Sequence, residues 1–301
     1  MRIVTALGGN ALLKRGEAPS AAAQKANVAA AAAQLAVLGQ AGHHLIVTHG
    51  NGPQVGLLAL QAEAGPPGAA QPLDDLDAES EGWIGYVLEQ ELANALPAGA
   101  EIATLLTRVE VAADDPAFAR PSKPIGPVYD EAAARALAAQ RGWQVAPDGK
   151  FWRRVVPSPA PVAVLNEASL TRLAEAGVVV VCAGGGGIPV TRDAAGKWRG
   201  VEAVIDKDAA SALLAIRLRA DFFMMLTDVE AVYLDYGTPA QRPIRQARPE
   251  ELAALPFAAG SMGPKVAAAC RFARETGRPA AIGRLQDAAA ILAGEAGTRI
   301  V

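Results

Sequence analysis

Six short apolar runs, each separated from the next by helical patterns or polar turns, constrain this chain more than any other feature. They are "RIVTAL" (2–7), "HLIVT" (44–48), "EIATLLT" (101–107), "VVVVCA" (178–183), "FFMMLT" (222–227) and "PAAIG" (279–283). Most are apolar on nearly every residue rather than on alternate ones. A strand with one wet face would alternate, so these runs predict strands covered on both sides, as in a parallel sheet between helical layers. Ala-rich helical patterns fall near 20–41, 53–63, 79–96, 167–176, 207–219 and 262–276, with Asn166 placed to start one and Gly177 to stop it. The expected architecture is a doubly wound α/β fold, and with 301 residues, 51% of them apolar, a large core can be buried.

One segment breaks that rhythm. Residues 114–161 are rich in proline, with "DDPAFARPSKPIGPVYD" and "VVPSPAP" around a short helix and the hairpin "QVAPDGKFWRRVV". Asp148-Gly149 is a strong hairpin-turn pair. This stretch is expected to be a small subdomain inserted into a single larger domain spanning 1–301.

Charge and cysteine content exclude several classes. The formal net charge is −3, so no global basic field exists to grip nucleic acid. No apolar run is long enough for a membrane span, and "MRIVTALGGNALL" is too glycine-interrupted for a signal peptide. Cys182 and Cys270 are the only cysteines, at no metal-ligand spacing, which fits a reducing cytoplasm. No G-x-S-x-G elbow accompanies His43, His44 and His49, so a hydrolase triad has little support, and Cys182 reads as a small buried strand residue.

Three of the strands end in glycine-rich turns: Gly8-Gly9-Asn10, Gly50-Asn51-Gly52-Pro53 and Gly184-Gly185-Gly186-Gly187. A single such loop is most simply a tight turn. Three at equivalent strand ends favour a phosphate site, because glycine lets backbone N–H groups approach an anion and ligands bind beyond the carboxyl ends of such sheets. G-x-G-x-x-G is not matched, since position 55 is Val and the four-glycine run continues into Pro189-Val190; no P-loop motif occurs.

Lysines are the other half of a phosphoryl-transfer site, where negative charge spreads over the transferred oxygens. Of only seven lysines, Lys123, Lys207 and Lys265 lie in stiff turns, "PSKPIGP", "VEAVIDKDAAS" and "GSMGPK". Asp206 and Asp208 flank Lys207 and would hold ammonium groups, help with Mg²⁺, or favour a helix start; the last is the stronger reading for Asp206. The acidic run Asp74, Asp75, Asp77 is expected to be a solvated helix start.

Together "ALGGNALL", "HGNGPQVGLL", "KPIGP", "VVPSPAP", "CAGGGGIPV", "GVEAVIDKDAAS" and "GSMGPK" resemble carbamate kinases of the amino-acid kinase superfamily, in order from residue 3 to about 283. The resemblance implies an αβα sandwich around a mostly parallel, eight-stranded sheet, in a homodimer. It implies reversible phosphoryl transfer between ATP and carbamate, giving ADP and carbamoyl phosphate, with Mg²⁺ accompanying the nucleotide. Residues 114–161 would be a protruding lid. Gly8, Gly9, Asn10, Gly50, Asn51 and Gly52 would line the carbamate and phosphoryl pocket, and Gly184, Gly185, Gly186 and Gly187 would approach phosphate through backbone N–H. Lys123 would reach in from the lid, Lys207 and Lys265 would stabilise moving charge, and Asp208 would organise the lysines. Asp206, Thr227, Asp228, Tyr233 and Met262 would border the nucleotide.

Two positions refine that picture. Relatives that phosphorylate acetylglutamate or aspartate resemble K-x-G-G at the first strand's end, where this chain has Ala6, so Lys123 takes the place of that lysine. Glu81 stands where carbamate kinases tend to have Gln, which is expected to add negative charge near an anionic substrate. The competing readings are a sibling small-acid kinase, of acetylglutamate or fosfomycin type, and a non-catalytic nucleotide or carbamoyl-phosphate sensor on the same fold.

Overall fold

The apolar runs assemble into one eight-stranded sheet in the computed structural model, which describes residues 1–9, 12–13, 20–66, 71–258 and 260–301. Strand Arg2–Leu7 lies between His44–His49 on one side and Phe222–Thr227 on the other, paired parallel to both. Beyond His44–His49 come Val179–Cys182 and then Ile102–Leu105 at one edge. Beyond Phe222–Thr227 come Ala280–Arg284, Thr298–Ile300 and Gln246–Ala247. The sheet's one antiparallel pairing joins Ala280–Arg284 to Thr298–Ile300.

Alternation along each strand sends residues to two separate cores. Val4, Ala6, Val180, Cys182, Phe223 and Met225 pack with the helices Glu167–Glu175, Lys207–Arg217 and Met262–Thr276. Their neighbours Ile3, Leu7, Val179, Val181, Phe222 and Met224 face Ala21–Gln40, Leu73–Ala95 and Ala288–Ala293. Both faces are covered, which is why the runs lack polar alternation. Each fully buried large apolar side chain contributes roughly 1.5–3 kcal/mol.

Two boundaries differ from expectation. The run 101–107 supplies only Ile102–Leu105 to the main sheet; the chain then turns at Thr107, and Arg108–Val111 joins a second sheet with Pro161–Val164, Ile188–Arg192 and Trp198–Gly200. The helix expected over 79–96 begins at Leu73, because Leu73 and Leu76 bury against Val55, Ile125 and Val204. Asp74 and Asp75 do occupy its first turn, but Asp77 is 2% exposed and is not a solvated acid.

Within the proline-rich segment, Lys123–Tyr129, Gln144–Asp148 and Phe151–Val156 form a three-stranded antiparallel sheet, with helix Glu131–Arg141 beside it. Gly149 takes φ +63° in the hairpin turn. This small sheet docks on helix Gly52–Ala64, where Ile125 and Val156 join Val55 and Ala59. The backbones touch at Gly56 and Gly126: a Cβ on Gly56 would lie 2.3 Å from the Gly126 Cα. Among the described residues no helix is long and apolar enough to cross a membrane.

Candidate active site

The chain first builds outward from Arg2–Leu7 through His44–His49, then crosses to Phe222–Thr227 on the other side. The crevice at that reversal lies beyond the carboxyl ends of the strands, where open α/β sheets bind ligands. A cavity of about 800 Å³ opens there, with Gly8, Gly9, Thr227 and Asp228 in its lining. Gly8 is pinned by its N–H to the Leu226 carbonyl at 2.8 Å, and a Cβ there would come within 3.2 Å of that oxygen. At Gly9 an added Cβ would meet nothing within 4 Å among the described residues, so this backbone faces open space.

All three singled-out lysines reach this cavity. Lys207 and Lys265 come from the first turns of two helices, Lys207–Arg217 and Met262–Thr276. Their ammonium groups donate to the two oxygens of one carboxylate, Lys207 to Asp208 Oδ1 at 2.5 Å and Lys265 to Oδ2 at 2.9 Å. Burial works against the Asp208 charge, but the two ammonium groups outweigh it and hold this carboxyl well below the usual range. One carboxylate cannot fully compensate two cations. Lys207 keeps a raised pKa, because Asp208 and Asp206 outweigh its desolvation. Lys265 is pushed down to about 8 by burial and by Lys207.

Asp206 has two jobs. Its Oδ1 caps the helix by accepting from the backbone N–H groups of Asp208 and Ala209, at 3.0 and 3.1 Å. Its Oδ2 accepts from Lys123 Nζ at 2.7 Å, which ties the inserted sheet to the cavity rim. Burial opposes the Asp206 charge, but Lys123 and the capping bonds hold its pKa below the ordinary value.

The opposite end of the cavity is more apolar. Tyr233, Tyr236, Leu255, Phe257 and Met262 line it, with the rings of Tyr233 and Tyr236 5.9 Å apart. Tyr236 and Leu255 were not singled out from sequence. A signal for the tyrosine existed in its spacing from Tyr233 at a turn; Leu255 carried none. Thr227 Oγ1 donates to Asp228 Oδ1 at 3.1 Å at the mouth of this end. A cavity lined by ammonium groups together with an aromatic, apolar surface suits a nucleotide.

The remaining glycine loops lie one layer behind. Gly50 backs onto the cavity floor, since its Cβ would fall 3.2 Å from Gly9 N and 3.4 Å from Lys207 Cδ. Asn51 turns inward, is 3% exposed, and donates to Asp77 and Ser80. Gly52 begins helix Gly52–Ala64. Asn10 lies outside the described residues.

Gly184, Gly185 and Gly186 are buried, and none is in the cavity lining. Added Cβ atoms would strike His49, Asn51 and the Ile205 carbonyl respectively, at 2.1–2.6 Å. The N–H groups of Gly184, Gly186 and Gly187 are spent on Glu81, Ala183 and Gly184. These three N–H groups are thus used within the protein, where the sequence reading expected an approach to phosphate.

Glu81 also departs from expectation. It is 1% exposed, and burial pushes its pKa up to about 8, so at neutral pH it brings little negative charge toward the cavity. Cys182 is buried and its thiol pushed up by burial, consistent with a strand residue rather than a nucleophile.

The profile of the amino acid kinase family matches residues 1–284. Over 300 residues the chain is 52% identical to the carbamate kinase of Haemophilus influenzae, covering all of this chain and 96% of that one. Identity to the carbamate kinase of Pyrococcus furiosus is 46% over 311 residues, covering 100% and 99%. Among solved structures, carbamate kinase from Giardia lamblia bound to AMP-PNP superposes with a TM-score of 0.90 at 40% identity, covering 100% of this chain and 98% of that one.

Proposed function

The chain belongs to the amino acid kinase family, and from that premise we infer that it catalyses the carbamate kinase reaction, reversible phosphoryl transfer between ATP and carbamate. The observation that carries this reading is the set of three ammonium groups at the cavity, two of them anchored on one buried carboxylate. Transfer of a phosphoryl group needs little covalent chemistry from a protein; it needs alignment and positive charge at the transferred oxygens.

In the ATP-forming direction a terminal oxygen of the ADP β-phosphate attacks the phosphorus of carbamoyl phosphate. The bond between phosphorus and the carbamoyl oxygen breaks, and its electron pair remains on that oxygen as carbamate. No proton has to move. Lys207 and Lys265 neutralise the charge gathering on the transferred group, and Asp208 holds both ammonium groups in place before substrate arrives. Lys123 supplies a third cation from the inserted sheet. The Tyr233–Met262 end receives the base, which leaves the phosphates toward Gly8 and Gly9.

Mg²⁺ fits this cavity as an ion carried by the nucleotide. Among the described residues no group of three His, Cys, Asp or Glu side chains is placed to hold a metal. Asp208 is occupied by two lysines and Asp206 by Lys123 and the helix cap, so Asp228 in the lining would hold the ion through its waters. The ion, when bound, would supply charge neutralisation at the phosphates.

ATP synthesis is the proposed working direction, since a carbamoyl–phosphate mixed anhydride is a strong phosphoryl donor. Residues 114–161 are proposed to act as a lid over the cavity, in a cytoplasmic enzyme of arginine metabolism. A homodimer is proposed too, supported by the exposed Tyr86 and Leu106 beside the edge strand Ile102–Leu105.

The test is ATP formation from ADP, Mg²⁺ and carbamoyl phosphate, with acetyl phosphate as a control donor. Rapid formation from carbamoyl phosphate alone is expected. Preference for acetyl phosphate would move the assignment to a sibling kinase, and nucleotide binding without turnover would make the protein a sensor.

A further inference from the structure

Behind the cavity lies a polar cluster that the reaction as described does not use. Helix Leu73–Ala95 presents Asp77, Ser80 and Glu81 at i, i+3 and i+4, which places them on one face, and all are at most 2% exposed. Polar groups this deeply buried are costly unless they hold something. Each of these holds part of a glycine loop.

Asp77 and Ser80 hold the first loop. Asn51 Nδ2 donates to Asp77 Oδ1 at 3.1 Å and to Ser80 Oγ at 2.9 Å, so both amide hydrogens are used. Glu81 holds the second. Its Oε1 accepts from Gly184 N–H at 2.9 Å and its Oε2 from Thr107 N–H at 3.0 Å. Thr107 Oγ1 accepts in turn from Ala183 N–H at 2.9 Å, closing a ring around the start of the turn.

The two loops then interlock. The Asn51 amide lies so close under Gly185 that a Cβ there would be 2.1 Å from Nδ2, and His49 is similarly placed under Gly184. On its far side the glycine turn meets the Ile205 carbonyl, one residue before the Asp206–Lys207 pair, at 2.6 Å from a Cβ on Gly186. Gly50 in the first loop abuts Gly9 and the Lys207 stem. Contacts therefore run from the helix face, through both loops, to the floor of the cavity and the base of Lys207.

We propose that Asp77, Ser80 and Glu81 are positioning residues that lock the Gly50–Gly52 loop and the Ala183–Gly187 turn to each other, and through them set the phosphoryl end of the cavity. This rests on the carbamate kinase reading. Burial raises the pKa of both carboxyls, Asp77 well above its ordinary value even though the Asn51 bond opposes the shift. Burial thus works against negative charge on either acid behind an anionic substrate. Among the described residues Asp77 Oδ2 and His49 Nε2 have no hydrogen-bond partner. The nucleotide end, from Tyr233 to Met262, is built from other elements and is untouched by the lock.

The experiment compares wild type with Asp77→Ala, Asp77→Asn, Glu81→Met and Glu81→Gln in ATP formation from carbamoyl phosphate, with ADP binding measured by calorimetry. Asp77→Ala and Glu81→Met are expected to lower kcat by about tenfold or more, because small displacements of aligned groups are expensive in rate. The ADP dissociation constant should stay within about twofold. Asp77→Asn keeps the acceptor for Asn51 and should restore most of kcat. Glu81→Gln keeps one of two acceptors and should fall between, which preserves the test if Glu81→Met does not fold. Unchanged kcat in folded variants, or equal losses in kcat and ADP affinity, overturns the positioning role. An inactive wild type overturns the reading of the reaction and this inference with it, whereas an active wild type with unaffected variants overturns this inference alone.

Discussion

Replacing Asp208 by Asn tests the centre of the site, because it removes one charge and almost no volume. The carboxylate is 6% exposed and carries Lys207 and Lys265 at 2.5 and 2.9 Å. Removing one member of a buried ion pair typically costs about 3–5 kcal/mol when the remaining charge is trapped. Here it is not trapped. Lys265 sits at about 8 with Asp208 present, so shedding its proton near pH 7 costs only about 1.4 kcal/mol. Deprotonation is the cheaper route, and the protein should lose roughly 1.5–3 kcal/mol of stability rather than the full penalty. Activity bears the larger loss. A neutral Lys265 no longer stabilises the transferred oxygens, and loss of one such preorganised charge lowers kcat about 100-fold or more. The sign of the pH dependence follows. In the wild type kcat/KM should fall as pH rises through about 8, as Lys265 of the free enzyme loses its proton. In the variant that limb should move below about pH 7, with partial recovery of rate on the acid side. Urea unfolding and kcat/KM across the pH range read both effects. A variant within threefold of wild type near pH 7.5, with its alkaline limb unmoved, would refute the account of the lysine pair.

Three further perturbations separate the parts of the site. Lys123→Ala should lower kcat by about tenfold or more while changing stability by less than about 1 kcal/mol, since its pair with Asp206 is partly exposed; unchanged steady-state kinetics would remove Lys123 from the mechanism. Gly56→Ala forces a Cβ to within 2.3 Å of the Gly126 Cα, and neither backbone can yield cheaply. The small sheet should shift outward, visible as faster proteolytic cleavage within 123–156, and protection equal to wild type would contradict that docking. Gly185→Ala imposes φ +69° on a residue with a Cβ and displaces the Asn51 amide. Strain of about 1–2 kcal/mol and broken buried hydrogen bonds of about 1–3 kcal/mol should appear together in urea unfolding; a loss under about 1 kcal/mol would show that the turn has room.

The layered fold was legible because burial on both faces leaves a one-dimensional trace: runs such as "VVVVCA" and "FFMMLT" need no partner to be recognised as fully covered strands. The lysines were legible for a similar reason. Stiff local turns around Lys207, Lys265 and Lys123 mark them before any contact is known, and all three line one cavity. What a side chain faces across 20 or more residues has no such trace. Asp77 sits in an acidic run that looks solvated and Glu81 in a segment expected near the substrate, yet the loops packed on that face bury both. The four glycines announced close approach but not of what, and tertiary packing filled the space with His49, Asn51 and the Ile205 carbonyl. Even the direction of the pKa shifts on Lys207 and Lys265 was decided in three dimensions, because two helices that start 55 residues apart aim both lysines at one carboxylate. Sequence by itself marked the lysines and glycine turns proposed to handle phosphate. Only the tertiary structure decided which of them share a cavity, since charge and desolvation act through space rather than along the chain.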